Sequence, residues 1–181
     1  MQLEQASKQK KIAASFSITA DYAFAAFSVI QDCLRHCPSI QEFILFLEGE
    51  LPANDLEALM RDAKINIRPY SLPDVYYQSY KQPSEGRFPR ILFSRFENIS
   101  ILSEYDQIIA FDVDQVIAKD ISKLLADEQP FVFVKGGDTL KVNFHEVPIG
   151  YDSSQPAVNA NLMIFNRESL AQLVHDGRKR G

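Results

Sequence analysis

QIIAFDVD, residues 107–114, runs from an apolar stretch into two aspartates one residue apart. An uninterrupted apolar run this short, ending in polar residues, predicts a strand covered on both faces. The carboxylates then fall at its C-terminal end, where open α/β sheets bind their ligands. Side chains alternate along a strand, so with extended geometry Asp112 and Asp114 point the same way. Two bare carboxylates so close repel, and one takes up a proton unless a cation lies between them. A hard divalent ion, Mn2+ or Mg2+, suits one or two carboxylates completed by phosphate oxygens and water. The pair therefore predicts a metal that bridges the protein to a phosphorylated ligand. Its alternative is a solvated turn carrying two surface acids.

On either side of this stretch, apolar runs alternate with helix-period segments. KIAASFSI (11–18) reads as a first strand. DYAFAAFSVIQDCLRHC (21–37) follows as a helix, with Ala23, Phe27, Ile30 and Leu34 at helical spacing. EFILFLE (42–48) and INIRPY (65–70) are short strands, and LPANDLEALMRDA (51–63) is a helix with Asn54 as cap and Glu57 completing a capping box. Residues 70–88, rich in Tyr, Pro, Ser and Gly, predict a mobile loop. RILFSRFENISIL (90–102) reads as helical, and DISKLLAD (120–127) as a short helix capped by Asp120. PFVFVK (130–135) and AVNANLMIFN (157–166) are strands, residues 135–157 are irregular, and RESLAQLVHD (167–176) opens a last helix. This alternation predicts an α/β sandwich with a mostly parallel central sheet.

The chain has 181 residues, 46% hydrophobic and 24% charged, enough for one domain with its own core. Its net charge of −5, with basic runs only near the two ends, argues against nucleic acid as a partner. No run is long and apolar enough to predict a transmembrane segment. The start imitates a signal peptide, but Ser15, Ser17, Thr19 and Asp21 interrupt the apolar region. Cys33 and Cys37 are the only cysteines; they do not make a disulfide framework, and two thiols are an incomplete metal site. Reduced structural cysteines in a cytoplasmic protein are expected.

Two enzyme classes carry an Asp-x-Asp at a strand end. FDVDQVI (111–117), with GGDT at 136–139, resembles the haloacid-dehalogenase-like phosphatases, whose first Asp is a nucleophile. Gln115 stands where that family has Gly, and too few residues separate the two motifs. A second resemblance covers residues 12–175. FDVDQVIAKDISKLL is similar to the signature of the family 8 glycosyltransferases: apolar strand, Asp-x-Asp, β-branched run, then an acid before a helix with a Leu pair. FSITADYAFAAFSVIQDCL resembles that family's opening strand and nucleotide-contacting loop, LFSRFENI its arginine segment, and VNANLMIFN the strand that lines the donor sugar. Four segments in the right order are more specific than any lone motif.

The resemblance implies a GT-A fold, a Rossmann-like sandwich of the nucleotide-diphospho-sugar transferases, and transfer of a sugar with retention of configuration. UDP-sugar is the implied donor, and a saccharide or glycolipid the implied acceptor. Asp112 and Asp114 match the metal pair, with Val113 between them in the donor site. Tyr22 matches an aromatic that stacks on uracil; its alternative is a helix-start residue packed on the core. Thr19 and Asp21 occupy ribose- and base-contacting positions, with Thr19 replacing an acid and Asp21 alternatively a helix cap. Arg95 orders the aspartates or touches the donor. Asn159, Ala160 and Asn161 line the sugar, with Asn161 where the family has Gly. No catalytic base is assigned, and His145 matches no family motif. One domain over 1–181 is expected, with residues 1–11 a flexible N-terminus. Relative to the family, a C-terminal segment that completes the metal and acceptor sites is expected to be missing, and peripheral membrane contact would arise through it. The alternatives are the phosphatase and an inactive donor-binding fragment.

Overall fold

The computed structural model describes residues 10–61, 63–71, 90–139 and 152–178. All but the first two residues of the expected loop at 70–88, most of the N-terminal segment and His145 therefore lie outside the described residues. Among the described residues, six strands form one sheet: β1 (Ile12–Thr19), β2 (Glu42–Glu48), β3 (Ile65–Pro69), β4 (Gln107–Phe111), β5 (Phe131–Thr139) and β6 (Pro156–Asn166). Their order is β3-β2-β1-β4-β6-β5. The first four run parallel, and β6 is antiparallel to both its neighbours. The mixed, mostly parallel α/β sheet read from the sequence is the one observed.

Both faces of the sheet are covered, which is why the central strands read as continuous apolar runs. Alternate residues divide between two cores. Phe16, Phe43, Leu45, Ile109, Phe111 and Ile164 lie on one face, packed by α1 (Ala23–His36) and Leu59 of α2 (Ala53–Met60). Ala13, Ile44, Phe46, Ile108, Ala110 and Phe165 lie on the other, against Ile101, Leu102 and Tyr105. Phe16 and Phe111 stack across the β1–β4 ladder with ring centroids 5.8 Å apart. Gly49, just past β2, has φ of 96°, a left-handed conformation that suits glycine, and its α-carbon faces the Ala20 side chain.

Local expectations fared unevenly. The buried face of α1 is Ala23, Ala26, Val29, Ile30 and Cys33, whereas Leu34 is exposed and Phe27 only half-buried. α2 starts after Pro52, not Asn54, because the Pro52 carbonyl accepts from Asp55 N at 3.0 Å and Leu56 N at 3.1 Å. The predicted helix over 90–102 is instead a 3-10 segment (Arg90–Phe96), one turn of α3 (Glu97–Ser100) and a second 3-10 turn (Leu102–Glu104). There Asn98 Nδ2 donates to the Arg95 carbonyl and Ser100 Oγ to that of Glu97, both at 2.8 Å. Such local side-chain bonds compete with a regular helical ladder. α4 (Ser122–Leu125) has Ile121 at its cap position, while Asp120 one residue earlier accepts from Ser122 N at 2.9 Å. β5 runs past Lys135 to Thr139 with two register shifts, so the expected irregular region begins later. The chain closes with α5 (Arg167–Arg178). Among the described residues, no helix is long and apolar enough to cross a membrane.

Candidate functional site

The chain order β1, β2, β3 proceeds to one side of β1, and β4 then pairs on its other side. A switch of this kind opens a crevice beyond the C-terminal ends of β1 and β4, where doubly wound sheets take ligands. Thr19 ends β1, and Asp112 is the first residue past β4. Phe16 pairs with Phe111, so the next residues in register are Ser17 and Asp112.

The strand does not persist through the acidic pair. β4 ends at Phe111, and residues 113–114 form a turn, so strand alternation does not place the two carboxylates. Their turn is anchored to β6 instead. The Asn161 carbonyl accepts from Asp112 N at 2.9 Å and from Gln115 Nε2 at 2.8 Å. Asn161 N in turn donates to Asn159 Oδ1 at 2.9 Å. Further on, Ile117 is buried and its N donates to Asp32 Oδ2 on α1 at 3.3 Å. The segment leaving the acidic turn is thus pinned to β6 on one side and to α1 on the other. Val116 between the two anchors is 81% exposed.

Arg95 supplies the positive charge that the pair demands. Its guanidinium is ion-paired with Asp112, and the side chains are 11% and 24% exposed respectively. Burial pushes the Arg95 pKa down, while the charge of Asp114 pushes it up. A guanidinium nevertheless stays a cation in any protein environment. The segment that carries it is held from two sides: Ser94 Oγ of the preceding residue donates to Ser17 Oγ of β1 at 2.6 Å, and Asn98 Nδ2 donates to the Arg95 carbonyl. Ser94 and Asn98 are both buried.

The remaining predicted site residues distribute as follows. Thr19 closes β1, and Asp21 and Tyr22 lie in the 3-10 turn that follows, Ala20–Tyr22. Tyr22 is 53% exposed, so it is not packed into the core, and Asp21 makes no side-chain cap bond. Val113 is half-buried against the α1-side core. Asn159 and Asn161 lie on β6 beside the turn; Ala160 lies between them on the same strand. Asp138 of the phosphatase-like GGDT lies in edge strand β5, with β6 between it and β4. Gln115, Asp32, Ser17 and Ser94 were not singled out as site residues. Only Gln115 had a signal, as the one residue out of place in the phosphatase motif.

Asp112 and Asp114 offer hard oxygen donors, a chemistry that fits Mn2+ or Mg2+ completed by phosphate oxygens. Among the described residues, no group of three or more His, Cys, Asp or Glu comes together. A groove of about 710 Å³ lies at the other end of the sheet, around Asp106 and Gln107, and takes no part in this crevice.

No protein-family model matches the chain, and no curated protein aligns with it in sequence. Solved structures do share its fold. The chain is similar to the bifunctional glycosyltransferase WbbM, at 14% identity and a TM-score of 0.62, over 92% of this chain and 33% of that one. It is similar to the galactosyltransferase LgtC in complex with donor and acceptor sugar analogs, at 15% identity and a TM-score of 0.62, over 88% of this chain and 59% of that one. Mouse xyloside xylosyltransferase 1 matches at 16% identity and a TM-score of 0.53, over 90% of this chain and 69% of that one. The chain thus spans a third of WbbM and about three fifths of LgtC. At these identities the likeness is one of fold, that of the GT-A glycosyltransferases.

Proposed function

We propose that this chain is the donor-binding part of a metal-assisted, retaining sugar transferase of the family 8 type, taking a UDP-sugar as donor. The observation that carries the reading is the ion pair of Asp112 with Arg95 at the β1–β4 switch point, with Asp114 in the turn that follows and Asp112 tied by its backbone to Asn161 of the adjacent strand. The fold shared with glycosyltransferases supports it.

In this reading the nucleoside lies over the end of β1, with Tyr22 stacked on the base and Asp21 and Thr19 toward base and ribose. The exposure of Tyr22 leaves a ring face available for stacking. The diphosphate lies over the end of β4. Asp112 and Asp114 would hold a divalent cation there, and Arg95 would donate to the donor from the same side. When bound, the cation supplies Lewis-acid stabilisation of the departing diphosphate. Asn159, Ala160 and Asn161 border the sugar, and Val113 holds the acidic turn to the core. The acceptor is a saccharide or a lipid-linked saccharide.

A haloacid-dehalogenase-like phosphatase is less well supported. Its nucleophile would be Asp112, whose carboxylate is engaged by Arg95, and the fold neighbours are glycosyltransferases.

Calorimetric titration of UDP into the chain, with Mn2+ and then with EDTA, tests the proposal. Binding that requires the metal is expected, and Asp114→Asn should abolish it with the circular-dichroism spectrum unchanged. Equal UDP affinity of this variant and wild type in Mn2+ would remove the metal assignment. Absence of UDP binding under both conditions would leave a fold without a donor function.

A further inference from the structure

We infer that Ser17, Ser94 and Asn98 are positioning residues, a polar layer between β1 and the Arg95 segment that fixes where the Arg95 guanidinium meets the donor. The inference rests on the donor-site reading above and adds residues to which that reading gives no part.

One face of the sheet carries Ala13, Ile44, Phe46, Ile108 and Ala110, all buried. β1 places Ser15 and Ser17 on the same face, since side chains alternate from Ala13. Ser15 is level with Ile44 on β2 and Ala110 on β4, and Ser17 with Phe46. The 3-10 segment packs on β1 and brings Ser94, with Asn98 following in α3. Ser15, Ser94 and Asn98 are fully buried. Polar side chains thus interrupt an apolar layer, and Ser15 Oγ and Asn98 Oδ1 have no hydrogen-bond partner among the described residues. Exchanging both members of a buried polar pair for apolar groups of like shape can be neutral or stabilising. Stability therefore does not call for the hydroxyls, and local rules broken without a gain in stability mark functional positions. The functional residue beside this layer is Arg95, next in the chain after Ser94.

What the layer supplies is registry. The Arg95 segment is a 3-10 run followed by one α turn, so no long helical ladder sets its position. Apolar contact with β1 is non-directional and would let the segment slide. The bond from Ser94 Oγ to Ser17 Oγ, at 2.6 Å, admits one registry and ties the residue before Arg95 to the crevice end of β1. The Asn98 amide then holds the Arg95 carbonyl at 2.8 Å, across the junction of 3-10 and α geometry. Arg95 thereby keeps a fixed relation to Asp112, with which it is ion-paired, and to the donor. Placement matters for this side chain because a planar guanidinium meets anionic oxygens in a set geometry, whereas a lysine ammonium acts as a point charge.

The test is a pair of double-mutant cycles on the full chain, read by calorimetric titration of UDP in Mn2+ and by thermal melts. Ser94→Ala and Ser17→Ala should each weaken UDP binding about 3- to 10-fold, the figure for one hydrogen bond. The double variant should bind no more weakly than either single one, because both remove the same bond. Its Tm should stay close to that of wild type. In an Arg95→Lys background, Ser94→Ala should lose most of its effect, since the layer acts through the guanidinium. If Ser94→Ala does not fold by circular dichroism, Ser17→Ala, at a half-buried position, is read in its place. An effect of Ser94→Ala that is as large with Lys at position 95 as with Arg overturns the inference. A large fall in Tm of the double variant also overturns it, because the layer would then only support the fold. So does UDP binding by both single variants with the affinity of wild type, while leaving the donor-site reading standing. Failure of wild type to bind UDP removes the donor-site reading itself, and the inference with it.

Discussion

Gln115 illustrates how one side chain can hold an acidic turn. Its amide reaches the Asn161 carbonyl, which already accepts from Asp112 N, so the residues before and after Asp114 are anchored to one atom of β6. A single hydrogen bond of this kind contributes about 0.5–1.5 kcal/mol. Gln115→Ala should therefore lower metal-dependent UDP affinity by about 3- to 10-fold while leaving the fold intact. Gln115→Glu should be worse, because it sets a second acceptor against the carbonyl. Calorimetry of both variants checks this, and wild-type affinity in each would show that the turn holds itself. The two cysteines lie on α1 and at its end. Both are buried, and burial, with the Cys37 thiol beside it, pushes the Cys33 pKa up to about 12.

Between elements, polar groups at the edge of the sheet opposite the crevice, where β2 and β4 begin and β6 ends, hold the sheet together. Gln107 of β4 donates to Asn166 Oδ1 of β6 at 2.6 Å and to the Leu125 carbonyl at 2.8 Å, and both amides are buried. Glu42 of β2 is buried between Lys64 at 2.5 Å and Lys11 at 3.1 Å. Burial alone would raise the Glu42 pKa, but hydrogen bonds and charge from the two lysines bring it below its ordinary value of 4.5. A carboxylate with a depressed folded pKa stabilises the protein fully above its unfolded pKa, and loses that contribution as pH falls through the folded value. Wild type should thus exceed Glu42→Gln in Tm near neutrality, and the gap should close as pH falls below about 4.5. Thermal melts of both proteins over this range give the answer. A gap that stays constant would mean that the ion pairs contribute nothing.

At the scale of the whole molecule, one sheet separates two apolar cores, so neither core can be lost without exposing the other face of the same strands. Phe16 belongs to one core and Phe165 to the other, and both are fully buried. Phe16→Ala and Phe165→Ala should each remove about 3–5 kcal/mol, the usual figure for a buried phenylalanine. Urea unfolding followed by circular dichroism and tyrosine fluorescence should still show one coincident transition in each variant. Separate transitions for the two probes would mean that the cores unfold independently. The crevice depends on this cooperativity, because its groups come from β1, β4, β6 and the 3-10 segment, all joined through the same sheet.

What the sequence by itself determined is the sheet and the location of the acids. Short apolar runs such as QIIAF and EFILFL are legible because a strand buried on both faces leaves no room for polar residues. The placing of Asp112 at the end of β4 follows from where the apolar run stops. The resemblance to a family supplied the order of segments, including Arg95 and the Asn159–Asn161 strand. The segment around Arg95 was misread as a regular helix, since Ser94 and Asn98 find partners that a sequence pattern does not display. Only the tertiary structure decided that the chain turns directly after Asp112, that Gln115 and Asp32 pin the segment that follows, and that Arg95 is ion-paired with Asp112. The physical reason is range. Strand burial is written into neighbouring residues, whereas these contacts join residues 17 to 85 positions apart, and their partners are set by how the strands are ordered in the sheet.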